Sequence, residues 1–305
     1  MKRGKFIQNT LLTAGAMVSG SGLSSFAQER ATQNANGLFR MNYAPHHGQF
    51  SNHAGKSFVD EIRFMYDQGF RAIEDNGFLH RSVEEQDAIG STLGKLGMTM
   101  GVFVVDGGDN WKTSLTTGKK EFHDNFIKAC HRSVEAAKRC NAKWLTVVPG
   151  FFDRSKPLGI QTANVVNTLR YGAEIFEKHG LIMVIETLSD TPDLLLQKTD
   201  ETYLVCKAVN SPSCKILYDY YHMQRNEGDL IKTIDRCWDE IAYFQIGDNP
   251  GRNEPGTGEI NYKKAMEHLF NKGFKGIVGM EHGKSAEGKE GELALIAAYR
   301  EVDSF

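Results

Sequence analysis

Apolar residues in this chain follow two alternating spacings. Short continuous runs, such as Leu181 to Ile185, lie between longer stretches where apolar positions recur every three or four residues. Phe122, Phe126, Ile127, Cys130, Val134 and Ala137 are one such set. The first spacing predicts strands buried on both faces, and the second predicts helices with one apolar stripe. The strands fall at about 40–43, 70–74, 98–105, 144–148, 181–185, 215–218, 241–246 and 277–280. The helices between them begin at Ser57 and Ser82, each followed by an acid at the capping-box spacing (Asp60, Glu85), and continue at 119–140, 162–179, about 200–209, near Asp229, and 293–302. Gly69, Gly97, Gly180 and Gly273 each stand between a helix pattern and the next apolar run, where a left-handed stop is needed.

Eight strands, each followed by a helix, predict an α/β fold: a single (β/α)8 TIM barrel over residues 38–305. An open doubly wound sheet is the alternative. It would carry a G-x-G-x-x-G turn after the first strand if it bound a dinucleotide, and none is there. No stretch between the elements has the composition of a domain linker. The loops at 107–110 and 151–158 are long enough to cover a site.

The N-terminus breaks this rhythm. Lys2, Arg3 and Lys5 precede a short, mostly apolar core from Leu11 to Val18, and Ser25-Phe26-Ala27 is a small-x-small cleavage pattern. Residues 1–27 therefore read as an export signal cleaved near Ala27, with 28–37 as a short linker and a periplasmic destination. Arg3-Gly4-Lys5-Phe6-Ile7 is similar to a twin-arginine signal in which Gly4 stands for the second arginine, and a disordered tail is the plainer alternative. The apolar core is too short to span a bilayer, and no cysteine follows it to carry a lipid.

The remaining composition is that of a soluble globular protein, 40% hydrophobic and 24% charged. A net charge of -2 gives no basic footprint for nucleic acid. Five cysteines, an odd number without CxxC spacing, read as buried small hydrophobes rather than a zinc site or disulfides.

Candidate chemistry lies at the ends of the late strands. Ile185 is followed by Glu186, Tyr218 by Asp219, Phe244 by Gln245, and Met280 by Glu281. In a closed barrel, such positions converge at the C-terminal mouth. Three converging carboxylates repel one another and need a cation, and an all-oxygen set favours a hard divalent ion, Mg2+ or Mn2+. Each acid taken singly would be an ordinary solvated or ion-paired strand end. His222 and Arg252 fall just beyond the ring, placed to bind a substrate hydroxyl, carbonyl or carboxylate. Their plainer readings are a loop histidine and a surface ion pair with Glu254. Glu74, after the second strand, is a further candidate substrate contact, with a salt bridge as the equal alternative. His46, His47 and Trp111, on early loops, are candidates to wall the pocket, with a plain surface role as the alternative for each. The stretch Gln245 to Tyr262, with its buried amide and Asp248 followed by a glycine- and proline-rich loop, is the most distinctive segment.

Glu186 after its apolar strand, Tyr218-Asp219-Tyr220-Tyr221-His222-Met223-Gln224-Arg225, and the Gln245 to Tyr262 loop together closely resemble the hydroxypyruvate isomerase family. That family lies within the xylose-isomerase-like superfamily of sugar isomerases and epimerases. The resemblance is strong from about Gly180 to Glu281 and only of pattern before that. It implies that Glu186, Asp219, Gln245 and Glu281 hold one divalent metal and that Glu186 and Glu281 act as an acid/base pair across the substrate. Thr187 stands where the family usually has proline. The implied activity is metal-dependent interconversion of an α-hydroxyketone and an α-hydroxyaldehyde through an enediolate.

The export signal bears on the substrate, because hydroxypyruvate is an intracellular metabolite. A keto-sugar epimerase or sugar isomerase acting on an extracytoplasmic carbohydrate is the alternative. A small hydroxycarbonyl or sugar is expected as substrate, with no nucleic acid or membrane span, and self-association is left open. The superfamily's trinuclear zinc endonucleases need histidines at early strand ends, where this chain has Asp106 and Pro149. A carbohydrate-binding protein without activity would have no use for two intact glutamates.

Overall fold

The computed structural model describes residues 37–305, so the export-type segment and nearly all of the linker lie outside the described residues. Six parallel strands lie in the order β1 (Asn42–Pro45), β8 (Ile277–Met280), β7 (Ile241–Gln245), β6 (Cys214–Asp219), β5 (Ile182–Glu186), β4 (Trp144–Val147). The remaining two, β2 (Ala72–Ile73) and β3 (Thr99–Met100), pair with each other. Single parallel bridges, His46 with Glu74 and Val104 with Thr146, join this pair to β1 and β4. The ring of eight expected from the apolar rhythm is thereby closed.

Helices wrap the outside: α1 (Ser51–Ala54), α2 (Phe58–Asp67), α3 (Val83–Leu96), α4 (Lys120–Cys140), α5 (Leu158–Glu177), α6 (Thr199–Val209), α7 (Tyr220–Asn226), α8 (Leu230–Cys237), α9 (Tyr262–Asn271) and α10 (Gly288–Val302). The Ser82–Glu85 box at the start of α3 is reciprocal, whereas Ser57 only accepts from the Asp60 N–H. Gly97 ends α3 in the left-handed region at φ 64°, which costs an L side chain energy and glycine nothing.

Several boundaries differ from the pattern. The 98–105 run pairs as a strand only at Thr99–Met100, and 70–74 only at Ala72–Ile73. α5 starts four residues early, α10 five, and α7 was not expected at all, because seven residues cannot display a helical period. All five cysteines are buried and free, as the composition suggested. Among the described residues, no helix is long and apolar enough to cross a membrane.

Alternation along the strands separates two cores. Ala44, Ala72, Val102, Val184, Leu217, Tyr243 and Ile277 fill the barrel interior, while residues of opposite parity, such as Met183, Ile185, Ile216, Tyr218, Phe244 and Val278, pack under the helices. Two positions beyond Val184 and Leu217 on the same inward face come Glu186 and Asp219, with Gln245 beside Asp219 in register. The polar ring is thus the next layer above an apolar plug.

Candidate active site

Asp219 is the last residue of β6 and the N-cap of α7. Its Oδ1 accepts the Tyr221 N–H at 2.7 Å, which leaves Oδ2 facing the barrel axis. His222 follows one helical turn into α7 and is fully buried. Its Nε2 lies 3.6 Å from Asp219 Oδ2 and has no hydrogen-bond partner. Its Nδ1 accepts the Ser189 N–H at 3.1 Å and contacts Ser189 Oγ at 2.8 Å. A backbone N–H can only donate, so the neutral ring carries its proton on Nε2 and presents a donor to the site. Burial, reinforced by Arg252, lowers the His222 pKa to about 4, so neutral is its resting form.

Glu186, Asp219, His222 and Glu281 each present a ligand-type atom, and these atoms all lie within 4.8 Å of one another. Burial pushes the Glu186 carboxyl well above the usual range, and repulsion from Glu281 and Asp219 adds to the shift. Burial also raises Asp219, against the pull of Arg252 and of backbone donors. This buried cluster could hold a metal ion, since a divalent cation at its centre would remove the cost that both shifts express. The Gln245 amide oxygen is a further potential ligand atom. It is buried without a partner, while the His222 nitrogen facing the site is protonated.

Glu74 packs against the polar ring. It is completely buried beneath the ring, where its carboxyl accepts from Gln245 Nε2 at 3.3 and 3.4 Å. It therefore helps to orient the amide from beneath. Burial, then repulsion from Glu281, drives its pKa well upward. Gly279 makes room for it, because a Cβ there would collide with the Glu74 carboxyl. Nothing in the sequence pattern relates residues two hundred positions apart in this way.

Arg252 reaches further in than expected. Held at φ 51°, it donates to Glu281 Oε2 at 2.7 Å and lies 3.3 Å from Asp219 Oδ2, with Tyr221 stacked at 4.8 Å. Its partners are ring carboxylates, not Glu254, which accepts from Ser285. Asp248, a carboxylate that drew attention in the sequence, is used by its own loop. It accepts the N–H groups of Gly256 and Gly258 at 2.9 Å and of Ile260 at 3.1 Å. Sequence reasoning missed Asn76, whose Nδ2 donates to Glu281 Oε1 at 2.7 Å. Both oxygens of Glu281 are thereby fixed.

Above the ring, a cavity of about 530 Å³ opens, with His46, His47, Asn76, Arg252 and Glu281 among its walls. The two histidines line this cavity, and Trp111 lines a neighbouring chamber.

Relatives carry similar descriptions. Hydroxypyruvate isomerase from Escherichia coli (strain K12) is 39% identical over 140 residues, which are 45% of this chain and 54% of that protein, so the match spans about half its length. 2-oxo-tetronate isomerase from Cupriavidus necator is 26% identical over 257 residues, 82% of this chain and 95% of that protein. Among solved structures, 3-keto-D-glucoside 4-epimerase from E. coli superposes with a TM-score of 0.74 at 17% identity, covering 87% of this chain and 100% of that one, a likeness of fold. A family model for the xylose isomerase-like TIM barrel matches residues 62–300, and the chain belongs to that family.

Proposed function

We propose that this isomerase moves a proton between adjacent carbons of an α-hydroxycarbonyl compound, with Glu186 and Glu281 as its proton-carrying groups. The observation that carries this reading is their convergence. Two glutamates from strands β5 and β8 bring carboxylate oxygens within 4.8 Å of each other, beside Asp219 and a neutral His222. A buried carboxyl with a raised pKa takes up a proton more readily than an exposed one. The His222 Nε2–H is placed to donate to a substrate oxygen. Arg252 and Asn76 hold the Glu281 carboxylate in one orientation, which preserves the proton-transfer geometry. The apolar plug of Val184, Leu217, Tyr243 and Ile277 excludes water from below.

Glu186, Asp219, Gln245 and Glu281 would hold a divalent ion, and their hard oxygens suit Mg2+ or Mn2+. Such an ion, when bound, would lower the cost of negative charge developing on the substrate oxygens. Interconversion of an α-hydroxyketone and an α-hydroxyaldehyde, as with hydroxypyruvate, is the first reading, because both curated relatives described above are named for isomerases of small hydroxycarbonyl acids. Epimerisation of a keto-sugar is the second, and two observations favour it. The cavity of about 530 Å³ is ample for a sugar, and residues 1–27 have the pattern of an export signal, which would place the substrate outside the cytoplasm.

The test is metal-stripped protein in D2O with Mg2+ or Mn2+ restored, given hydroxypyruvate, aldoses and ketoses and followed by NMR. Metal-dependent deuterium uptake at the carbon beside a carbonyl is expected. Uptake that ignores the metal would remove the ion from the scheme, and none in any compound would overturn the enolising reading.

A further inference from the structure

The 530 Å³ cavity is not the whole of the barrel mouth. A second chamber of about 310 Å³ lies over the ends of β2 and β3, lined by Asn76, His80, Val104, Asp106, Asn110 and Trp111 among others. Asn76 belongs to both chambers. Its Nδ2 is spent on Glu281, while its Oδ1 is buried with no partner. Trp111 is 53% exposed, unusual for so large an apolar ring. Phe151 braces it edge-on, with centroids 6.4 Å apart at 72°.

The loop that carries Trp111 is pinned. The Phe151 N–H donates to Lys112 O at 2.8 Å, Asn110 Nδ2 to Val105 O at 3.3 Å, and Asn125 Nδ2 to Asp109 Oδ2 at 3.0 Å. Across the chamber, His80 Nε2 contacts Asp106 Oδ2 at 2.9 Å. A fixed, exposed indole between polar walls offers an apolar face to C–H groups and acceptors to hydroxyls, the pairing that a sugar ring presents.

We propose that this second chamber binds a second sugar ring, so that the substrate is a glycoside spanning Glu281, Asn76 and Trp111. The inference rests on the enolising site proposed above and names its substrate class. It also selects the reaction. With the ring whose anomeric carbon is tied into the glycosidic bond seated at Glu281, the carbonyl must sit on another ring carbon. One glutamate removes the proton from the neighbouring C–H to give an enediolate, and the other returns a proton to the opposite face. The carbinol is inverted with no net change in atoms or oxidation level. The ring ketone itself must come from a prior reaction that dehydrogenates a secondary alcohol.

The experiment measures deuterium exchange and epimerisation of methyl 3-keto-α-D-glucoside, 3-ketosucrose and hydroxypyruvate by wild type and Trp111→Ala with Mn2+ present. Saturation-transfer NMR with sucrose and glucose runs in parallel. The expected result is a kcat/KM for 3-ketosucrose at least about tenfold above that for the methyl glycoside. Trp111→Ala should reduce that preference by about tenfold, mainly through KM. Equal kcat/KM for the two glycosides, or equal slowing of both in the variant, overturns the second-ring site. Exchange of hydroxypyruvate alone overturns it while leaving the enolising reading intact. If no compound exchanges, the enolising reading fails and binding decides the chamber: Trp111-dependent contact with sucrose supports a sugar site there, and no contact overturns it.

Discussion

The late half of the barrel, β5 to β8, and the early half, β1 to β3, are built differently. The late strands run four to six residues, and β5, β6 and β7 each end in a polar side chain, with Glu281 directly after β8. The early strands β2 and β3 have two residues each and join the ring through single bridges. The late half fixes the positions of reacting groups, which long hydrogen-bonded ladders hold rigidly. The early half gives its chain length to loops, which line the second chamber and share the walls of the first with the loops after β7 and β8. Chemistry thus sits on the regular part and substrate shape on the irregular part, a division that barrels permit because strand ends and loops share one face.

The strongest way to break this comparison is Glu281→Gln. If the late strands carry the proton chemistry, kcat should fall by about a hundredfold to ten-thousandfold, with much less change in KM. Turnover within tenfold of wild type would show that the chemistry lies elsewhere, and Mn2+ EPR on the same variant separates lost proton transfer from lost ion binding. Next in size is Gly279→Ala, which probes whether the two halves meet at Glu74. The added methyl must displace a buried carboxyl from beneath Gln245, so a loss of about 1–3 kcal/mol in denaturant unfolding is expected. Unchanged stability would mean that Glu74 moves aside freely and does not fix the amide.

Glu292 ties α10 to α1, the short helix after β1 in the early half. It accepts from Asn52 N at 2.7 Å and Nδ2 at 2.8 Å and from His53 N at 3.0 Å. Glu292→Gln should cost about 1–3 kcal/mol. Burial works to raise the Glu292 pKa, but the donors from Asn52 and His53 outweigh it and hold the carboxyl below its ordinary value of 4.5. The stabilisation is therefore complete above pH 4.5 and lost as pH falls through the lowered folded value. A variant that unfolds in acid like wild type would count against that role.

The smallest expected effect is at Asp303, which accepts from Arg40 N at 2.6 Å and Met41 N at 3.1 Å and so fixes the start of the early half. Burial raises its pKa in spite of these bonds. Its ionised form is penalised in the fold, so its contribution to stability improves as pH falls from the raised folded value toward 3.8. Asp303→Asn should show a shallow pH dependence opposite in sign to that of Glu292→Gln, and the same sign in both would refute the assignment.

The alternation of apolar runs and helical stripes was enough to predict eight strands and a barrel, because each strand buried on both faces needs a helix outside and a partner on either side. The polar residues ending the late strands were visible for the same reason: a carboxylate directly after five apolar residues has no packing purpose. What the sequence could not show were relations across the ring. Glu74 beneath Gln245, Gly279 cleared for Glu74, Asn76 on Glu281 and Arg252 between two carboxylates join residues far apart in the chain, and no local spacing encodes them. Nor could it separate Asp219, which faces the site, from Asp248, which serves its own loop, since both follow apolar strands. That difference lies in backbone direction: a helix cap leaves one Asp219 oxygen on the barrel axis, while a tight turn closes its N–H groups around Asp248. The local pattern of burial determined which elements form, and closure of the barrel decided which side chains meet.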